Sequence, residues 1–187
     1  PRLPPPRRSR PHPPPQPAGL PRGAAQARPG EAEILQGNAQ AHNNELEVDA
    51  AVSTRQDFPG SIACVSVKHN NPCGVAIADS ALECLQRSVN ADPISVFGGI
   101  IATNFTIDKA CIDELSKLFF ECLVAPDFTS EALKALGKRK NIRALKWPGI
   151  MSAKDKFTIK TLCGGFLVQA KDKVAAAWPY VWTVVAV

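Results

Sequence analysis

The sequence predicts an α/β fold in which a mostly parallel sheet is covered by helices on both faces. Between residues 61 and 137, short apolar runs of strand length alternate three times with stretches that carry apolar residues at helical spacing. Capping residues, prolines and glycines mark where these stretches begin and end. The chain has 187 residues, of which 45% are hydrophobic, so it can bury one substantial core. Strands that alternate with helices in this way imply parallel strands joined by helical crossovers.

The first unit is predicted as a buried strand over residues 61–67, which is rich in β-branched residues and follows a Pro-Gly turn. A loop rich in Asn, Pro and Gly is expected over residues 70–74. A helix then begins at Ser80, because Ser80 and Glu83 form a capping box, and it must end at Asp92 before Pro93.

Two further units follow. A short strand over residues 100–103 precedes a helix that begins near Asp108 and carries four apolar residues on one face, namely Ile112, Leu115, Leu118 and Phe119. A third strand over residues 122–125 precedes a helix over residues 130–136, which Gly137 closes. Downstream, residues 157–162 and 166–169 flank Cys163-Gly164-Gly165, a pattern that indicates a hairpin or the entry into a strand.

Charge and proline divide the chain into three parts. The first 30 residues hold six arginines, no acidic residue and eleven of the seventeen prolines, and the remainder holds sixteen basic and seventeen acidic residues. We therefore expect residues 1–32 to be a disordered leader, residues 33–173 to be the folded domain and residues 174–187 to be an apolar tail. The nearly neutral body argues against nucleic-acid binding, and the absence of a long apolar run argues against a membrane protein.

Cysteine usage points to a reducing compartment. The six cysteines are not clustered, four lie within apolar runs, and no Cys-x-x-Cys pair is present. We therefore expect reduced, mostly buried cysteines in a cytoplasmic protein and no zinc site.

The strongest candidate for a functional site follows the first strand. Lys68, His69 and Asn71 lie in a segment with a backbone shaped by Pro72 and Gly74. Histidine transfers protons near neutral pH and lysine stabilises a developing oxyanion, so the pair suits acyl-type transfer as well as phosphate recognition. The plain structural alternative is an exposed lysine beside a histidine that binds backbone groups.

Two other segments are expected at the same, C-terminal edge of the sheet, where the loops of an α/β protein gather. One such segment is Phe97-Gly98-Gly99, for which there are two interpretations. The glycines can let the backbone approach a flat ligand that the aromatic ring borders, or they can form a tight turn into a strand. The other segment contains Glu121, whose carboxylate can accept hydrogen bonds from sugar hydroxyls or an amide. The plain structural alternative is a charged residue at the edge of a strand, exposed to water. The basic run at residues 138–140, with Arg143 after it, is typical of a solvated helix end.

Several of these segments together resemble one family. The segments are VKHNNPCGVA at 67–76, DP at 92–93, FGGIIA at 97–102, AP at 125–126, EAL at 131–133, KNIR at 140–143 and GGFLVQ at 164–169. In this order they resemble the AICAR (aminoimidazole carboxamide ribonucleotide) transformylase portion of the PurH family of bifunctional purine biosynthesis enzymes. The resemblance runs from about Leu35 to about Asp172, and QG at 36–37, NN at 43–44 and DAA at 49–51 resemble the family's lead-in.

The resemblance implies a reaction, a fold and site residues. The reaction is transfer of a formyl group from 10-formyltetrahydrofolate, as cosubstrate, to the amino group of AICAR, and in the complete protein ring closure to inosine monophosphate (IMP) follows. The fold would be a cytidine-deaminase-like, three-layer α/β/α fold, incomplete here, without a catalytic metal and in a cytoplasmic homodimer. Lys68 and His69 match the catalytic pair, and the substrate-binding residues would be Asn71, Phe97, Gly98, Gly99 and Glu121.

The sequence also departs from the family. The family's Arg-Tyr-Gly segment, its cyclohydrolase domain and the second half of its transformylase have no counterpart here, so we expect a fragment whose isolated activity has to be tested. A zinc-dependent deaminase is a poor alternative, because Pro72-Cys73 lacks the second cysteine and no His-x-Glu motif is present. A non-catalytic relic or binding module with the same fold stays open.

Overall fold

The structure is a computed structural model that describes residues 32–37, 42–151 and 157–170. The predicted leader, apart from residue 32, and the predicted tail lie outside the described residues. The elements are β1 (Glu33–Gln36), α1 (His42–Arg55), β2 (Ile62–Lys68), β3 (Asn71–Ala78), α2 (Ala81–Ala91), β4 (Gly99–Thr103), α3 (Lys109–Leu115), β5 (Phe120–Ala125), α4 (Ser130–Leu136), β6 (Arg143–Lys146), a 3-10 turn (Pro148–Met151), β7 (Phe157–Leu162) and β8 (Gly165–Ala170).

Six strands form one sheet in the order β1-β6-β5-β4-β2-β3. The three central strands β4, β5 and β6 are parallel, as crossover helices require. β2 is antiparallel to both β4 and β3, and β1 is antiparallel to β6. Four of the six strands, β3 to β6, therefore run in the same direction, and the α/β class with a mostly parallel sheet is confirmed.

Helices cover both faces of this sheet. The core on one face joins β-strand residues such as Cys64, Ile101 and Leu123 to the buried sides of α2, α3 and α4. The core on the other face joins the alternate positions of the same strands, such as Val65 and Ile100, to α1. Because successive side chains of a strand point to opposite faces, each central strand contributes to both cores. The predicted three-layer arrangement is confirmed.

Helices α2 and α3 begin where the sequence predicts, after the capping residue Ser80 and near Asp108. The Ser80 hydroxyl accepts a hydrogen bond from the Glu83 backbone N–H at 3.3 Å, and the Asp108 carboxylate accepts one from the Cys111 N–H at 2.9 Å. The prediction that α3 extends to Phe119 is wrong. The helix ends at Leu115, and Phe119 lies on the surface, 45% exposed, just before β5.

The prediction of a loop over residues 70–74 is also wrong, because this segment begins strand β3. His69 and Asn70 adopt φ angles of 52° and 64°, which turns the chain back on itself. Pro72 has no N–H to donate, and it is accommodated because β3 lies at the edge of the sheet. The register shifts between Ser66 and Val67, which leaves Cys73 as a bulge beside the turn.

The predicted hairpin is confirmed as β7 and β8, which pair with each other in a separate two-stranded sheet. β1, α1 and β6 were not predicted. Among the residues that the structure describes, no helix is long and apolar enough to cross a membrane.

Candidate active site

The candidate site lies at the edge of the sheet opposite to the one predicted. Gly99 begins β4, Phe120 begins β5 and Arg143 begins β6, so this is the N-terminal edge of the parallel strands. Lys68 reaches the same edge because β2 is antiparallel to β4 and ends there. The expected C-terminal edge is wrong because Lys68 ends a strand that is antiparallel to β4, and because Gly99 and Glu121 lie where β4 and β5 begin.

Lys68 is anchored to the glycine loop. Its Nζ donates a hydrogen bond of 2.7 Å to the carbonyl oxygen of Gly98. Gly98 has a φ of +67°, and a Cβ added there would lie 3.1 Å from Lys68 Nζ. At Gly99 a Cβ would lie 2.6 Å from the carbonyl oxygen of Val67. Both glycines are therefore required for this close approach of β2 to β4.

His69 lies in the turn between β2 and β3, where its side chain is 81% exposed. Its backbone N–H donates to Glu47 Oε1 at 3.0 Å, and the same oxygen lies 3.6 Å from the imidazole Nδ1. Asn71 Nδ2 donates to the carbonyl oxygen of His69 at 3.0 Å, which closes the turn. The imidazole thus projects into solvent while its backbone is held on both sides.

Glu121 does not stand alone in water. Asn44 Nδ2 donates to Glu121 Oε2 at 2.9 Å, and Arg143 Nη1 lies 3.9 Å from the same oxygen. The interpretation as a solvated helix end is therefore wrong for Arg143, whereas Lys138 and Lys140 are exposed just after α4, as that interpretation expects. Arg139, in that basic run, donates to the carbonyl oxygens of Leu115 and Leu118 at 2.9 and 2.6 Å, and burial lowers the pKa of its guanidinium.

Two phenylalanines border the glycine loop. The rings of Phe97 and Phe119 have centroids 5.2 Å apart and are tilted by 46°. They are 61% and 45% exposed, and the Phe119 ring lies within 3.5 Å of a Cβ built on Gly98. Exposed aromatic rings at the mouth of a polar site are suited to contact a flat ligand.

Sequence reasoning missed the contribution of α1. Asn44 and Glu47 lie three residues apart on this helix and therefore share a face, which they turn towards Glu121 and His69. The spacing of these polar residues, within the lead-in that resembles the family, was the available signal.

The cysteines show no sign of metal binding or disulfide formation in the described part of the chain. None of the six forms a disulfide, and no group of three His, Cys, Asp or Glu side chains among the described residues could hold a metal ion. Burial raises the pKa of the Cys84 thiol to about 11 and that of Cys111 to about 12, and it also raises the pKa of Cys64. These thiols stay protonated at neutral pH.

Lysine, imidazole, amide and carboxylate groups lie along one edge of the α/β/α sheet, and groups of these types are suited to acid–base chemistry on a polar ligand. Residues 13–186 match the family model of the AICARFT/IMPCHase bienzyme, and the chain belongs to this family.

The chain spans about 28% of the length of the curated relatives that it matches. The chain is 42% identical over 143 residues to the bifunctional purine biosynthesis protein PurH of Aquifex aeolicus, covering 76% of this chain and 28% of the relative. It is 45% identical over 145 residues to PurH of a Nostoc species, covering 78% of this chain and 28% of the relative. Among solved structures, Acinetobacter baumannii RibD, form 2, is similar with a TM-score of 0.45 and 14% identity, covering 58% of this chain and 38% of that one.

Proposed function

We propose that this chain carries the formyl-transfer chemistry of purine biosynthesis, in which 10-formyltetrahydrofolate donates a formyl group to the amino group of AICAR. The relatives are named as bifunctional purine biosynthesis proteins, and the chain spans about 28% of their length. The observation that carries the proposal is the hydrogen bond from Lys68, the neighbour of His69, to Gly98, at the sheet edge where β5 begins and Glu121 lies.

The reaction needs a proton acceptor and a group that stabilises negative charge. The amine of AICAR must lose a proton as it attacks the formyl carbon, and the tetrahedral intermediate carries an oxyanion. We assign proton transfer to His69, whose exposed imidazole is accessible to a ligand. Lys68 would stabilise the oxyanion, because an ammonium has three donors and the bond to Gly98 uses one of them.

The remaining groups suit recognition of a ribonucleotide. Glu121 retains exposure of 40% of its side chain while it is held by Asn44 and Arg143, so it can accept hydrogen bonds from hydroxyl or amide groups. Phe97 offers an exposed ring to the flat imidazole ring of AICAR. Asn71 completes this set from the first residue of β3.

Formyl transfer by the purified full chain tests the proposal, with tetrahydrofolate release measured in the presence of AICAR and 10-formyltetrahydrofolate. We expect turnover that falls at least about 100-fold in His69→Ala, because a general base contributes a factor of this size. Arg87→Ala is the matched control, because Arg87 lies on α2, is 61% exposed and pairs with Glu83.

A second measurement separates this function from the alternative of a non-catalytic binding module with the same fold. If the folded chain shows no turnover, AICAR binding is measured by calorimetry. A binding module that retains the site should bind AICAR and should lose affinity in Lys68→Ala. Affinity that is absent, or unchanged in Lys68→Ala, would overturn both assignments. The homodimer implied by the resemblance is part of the proposal, and sedimentation velocity of the purified chain tests it.

A further inference from the structure

We propose that Glu47 is a positioning residue for His69: its carboxylate holds the histidine backbone in the turn and selects the imidazole tautomer that is protonated on Nδ1. Nε2 is then left with a free electron pair. That this nitrogen accepts the proton of the substrate amine rests on the function proposed above, but the contact between Glu47 and His69 does not.

The backbone at His69 needs support. His69 and Asn70 are consecutive non-glycine residues with positive φ angles, and each such residue costs about 1 kcal/mol or more. The hydrogen bond of 3.0 Å from the His69 N–H to Glu47 Oε1 has a charged acceptor, which makes it stronger than a neutral one. It therefore offsets part of the strain of the turn.

The same oxygen determines which imidazole tautomer is favoured. Glu47 Oε1 lies 3.6 Å from His69 Nδ1, so either the lone pair or the N–H at Nδ1 faces a carboxylate. A lone pair on Nδ1 would be repelled by that charge, whereas an N–H would be attracted to it. The Nδ1-protonated form is therefore stabilised, and the orientation of the ring is restrained with Nε2 directed away from the carboxylate.

The environment of Glu47 strengthens this effect. Its side chain is only 12% exposed, so its charge is less screened by water than a surface carboxylate would be. A carboxylate removed from water needs donors, and His69 supplies the backbone N–H and, in this tautomer, the ring N–H. Asn44, one helical turn earlier on α1, holds Glu121 in the same way, so one helix positions two groups of the site.

The test is nitrogen NMR of the ¹⁵N-labelled full chain at about pH 8.5, where a histidine side chain is ordinarily neutral. The chain has three histidines, and the signals of His69 are identified by their absence in His69→Gln. We expect the wild-type His69 ring to be protonated mainly on Nδ1. A wild-type ring protonated mainly on Nε2 would overturn the proposal without any variant having to fold.

Glu47→Gln then removes the charge while keeping an oxygen that can accept from the backbone N–H. We expect the tautomer population of His69 to shift towards Nε2–H, and an unchanged population would contradict the proposal. Glu45→Gln is the matched control, since it makes the same change at an exposed position of the same helix and should leave the His69 signals unaltered. Glu47→Asp, which keeps the charge, should retain more of the Nδ1–H form than Glu47→Gln.

Kinetics provide an independent readout. If the chain turns over, Glu47→Gln should lower kcat roughly tenfold with little change in the KM for AICAR, because an imidazole in the wrong tautomer binds the substrate but accepts its proton poorly. A chain without turnover in which the NMR shift is still observed would count against the proposed function alone. A retained kcat in Glu47→Gln would count against the role of Glu47.

Discussion

Replacement of Arg55 by methionine is expected to stabilise the protein. Arg55 is the last residue of α1 and is fully buried. Its three guanidinium nitrogens lie out of contact with water and have no hydrogen-bond partner among the described residues. Burial lowers the pKa of this guanidinium, but an arginine stays charged near neutral pH. Within the part of the chain that the structure describes, Arg55 is therefore a buried positive charge without a compensating partner.

The magnitude follows from two opposing effects. An uncompensated buried charge costs about 3–5 kcal/mol. A cation at the C-terminal end of a helix recovers about 0.5–1 kcal/mol from the helix dipole. Because methionine fills a similar elongated space without a charge, Arg55→Met should raise the free energy of unfolding by about 2–4 kcal/mol. For a chain of this size that corresponds to a rise in Tm of roughly 4–16 °C.

Urea denaturation followed by circular dichroism measures the effect. Arg87→Met is the matched control, because Arg87 is 61% exposed and its loss should change the free energy of unfolding by no more than about 0.5 kcal/mol. An Arg55→Met protein that is equally stable or less stable than the wild type would refute the reasoning, because the guanidinium would then have an acceptor in solution.

Three further predictions use other sites. Gly98→Ala and Gly60→Ala both place a side chain at a positive φ, but of these two positions only Gly98 has neighbours within 4 Å. Calorimetry should therefore show weaker AICAR binding in Gly98→Ala and unchanged binding in Gly60→Ala. The same affinity in both variants would contradict this. Cys163 is exposed and should be alkylated at pH 8 in the folded protein. Burial raises the pKa of Cys84 to about 11, so Cys84 should be alkylated only after unfolding. Mass spectrometry after labelling tests this, and alkylation of Cys84 in the folded protein would contradict it. Backbone N–H donors lower the pKa of Asp108, so its contribution to stability is present above its ordinary pKa of 3.8 and is lost as the pH falls through the lowered value. In a profile of stability against pH, Asp108→Asn should therefore reduce the loss of stability at acid pH. An unchanged loss would contradict the assignment.

The predictions that succeeded rest on local interactions. The Ser80 and Asp108 caps each join a side chain to a backbone N–H three residues later, so a short sequence pattern contains both partners. The helix over residues 130–136 is predicted with the bounds that the structure shows. Asn, Pro and Gly in residues 70–74 indicated a loop because their local preferences favour turns, and only pairing with β2 at a sheet edge makes them a strand.

The candidate site shows the same division. Lys68 and His69 were selected from their chemistry and position after a strand, and the structure places them beside Gly98 and Glu47. Glu47 and Asn44 were missed because the bonds that bring them to the site join residues 22 and 77 positions apart. No local periodicity contains such a pair.

The sequence by itself determined the alternation of strands and helices, the helix caps and the lysine–histidine pair, because each depends on residues that are neighbours along the chain. Only the tertiary structure decided the direction of β2, and with it the edge of the sheet at which the site forms. It also decided that Arg55, a favourable residue for the end of an isolated helix, is buried with no partner for its charge among the residues described. Strand direction, burial and partner identity depend on how distant segments pack, and that packing is settled when the two cores form on either side of the sheet.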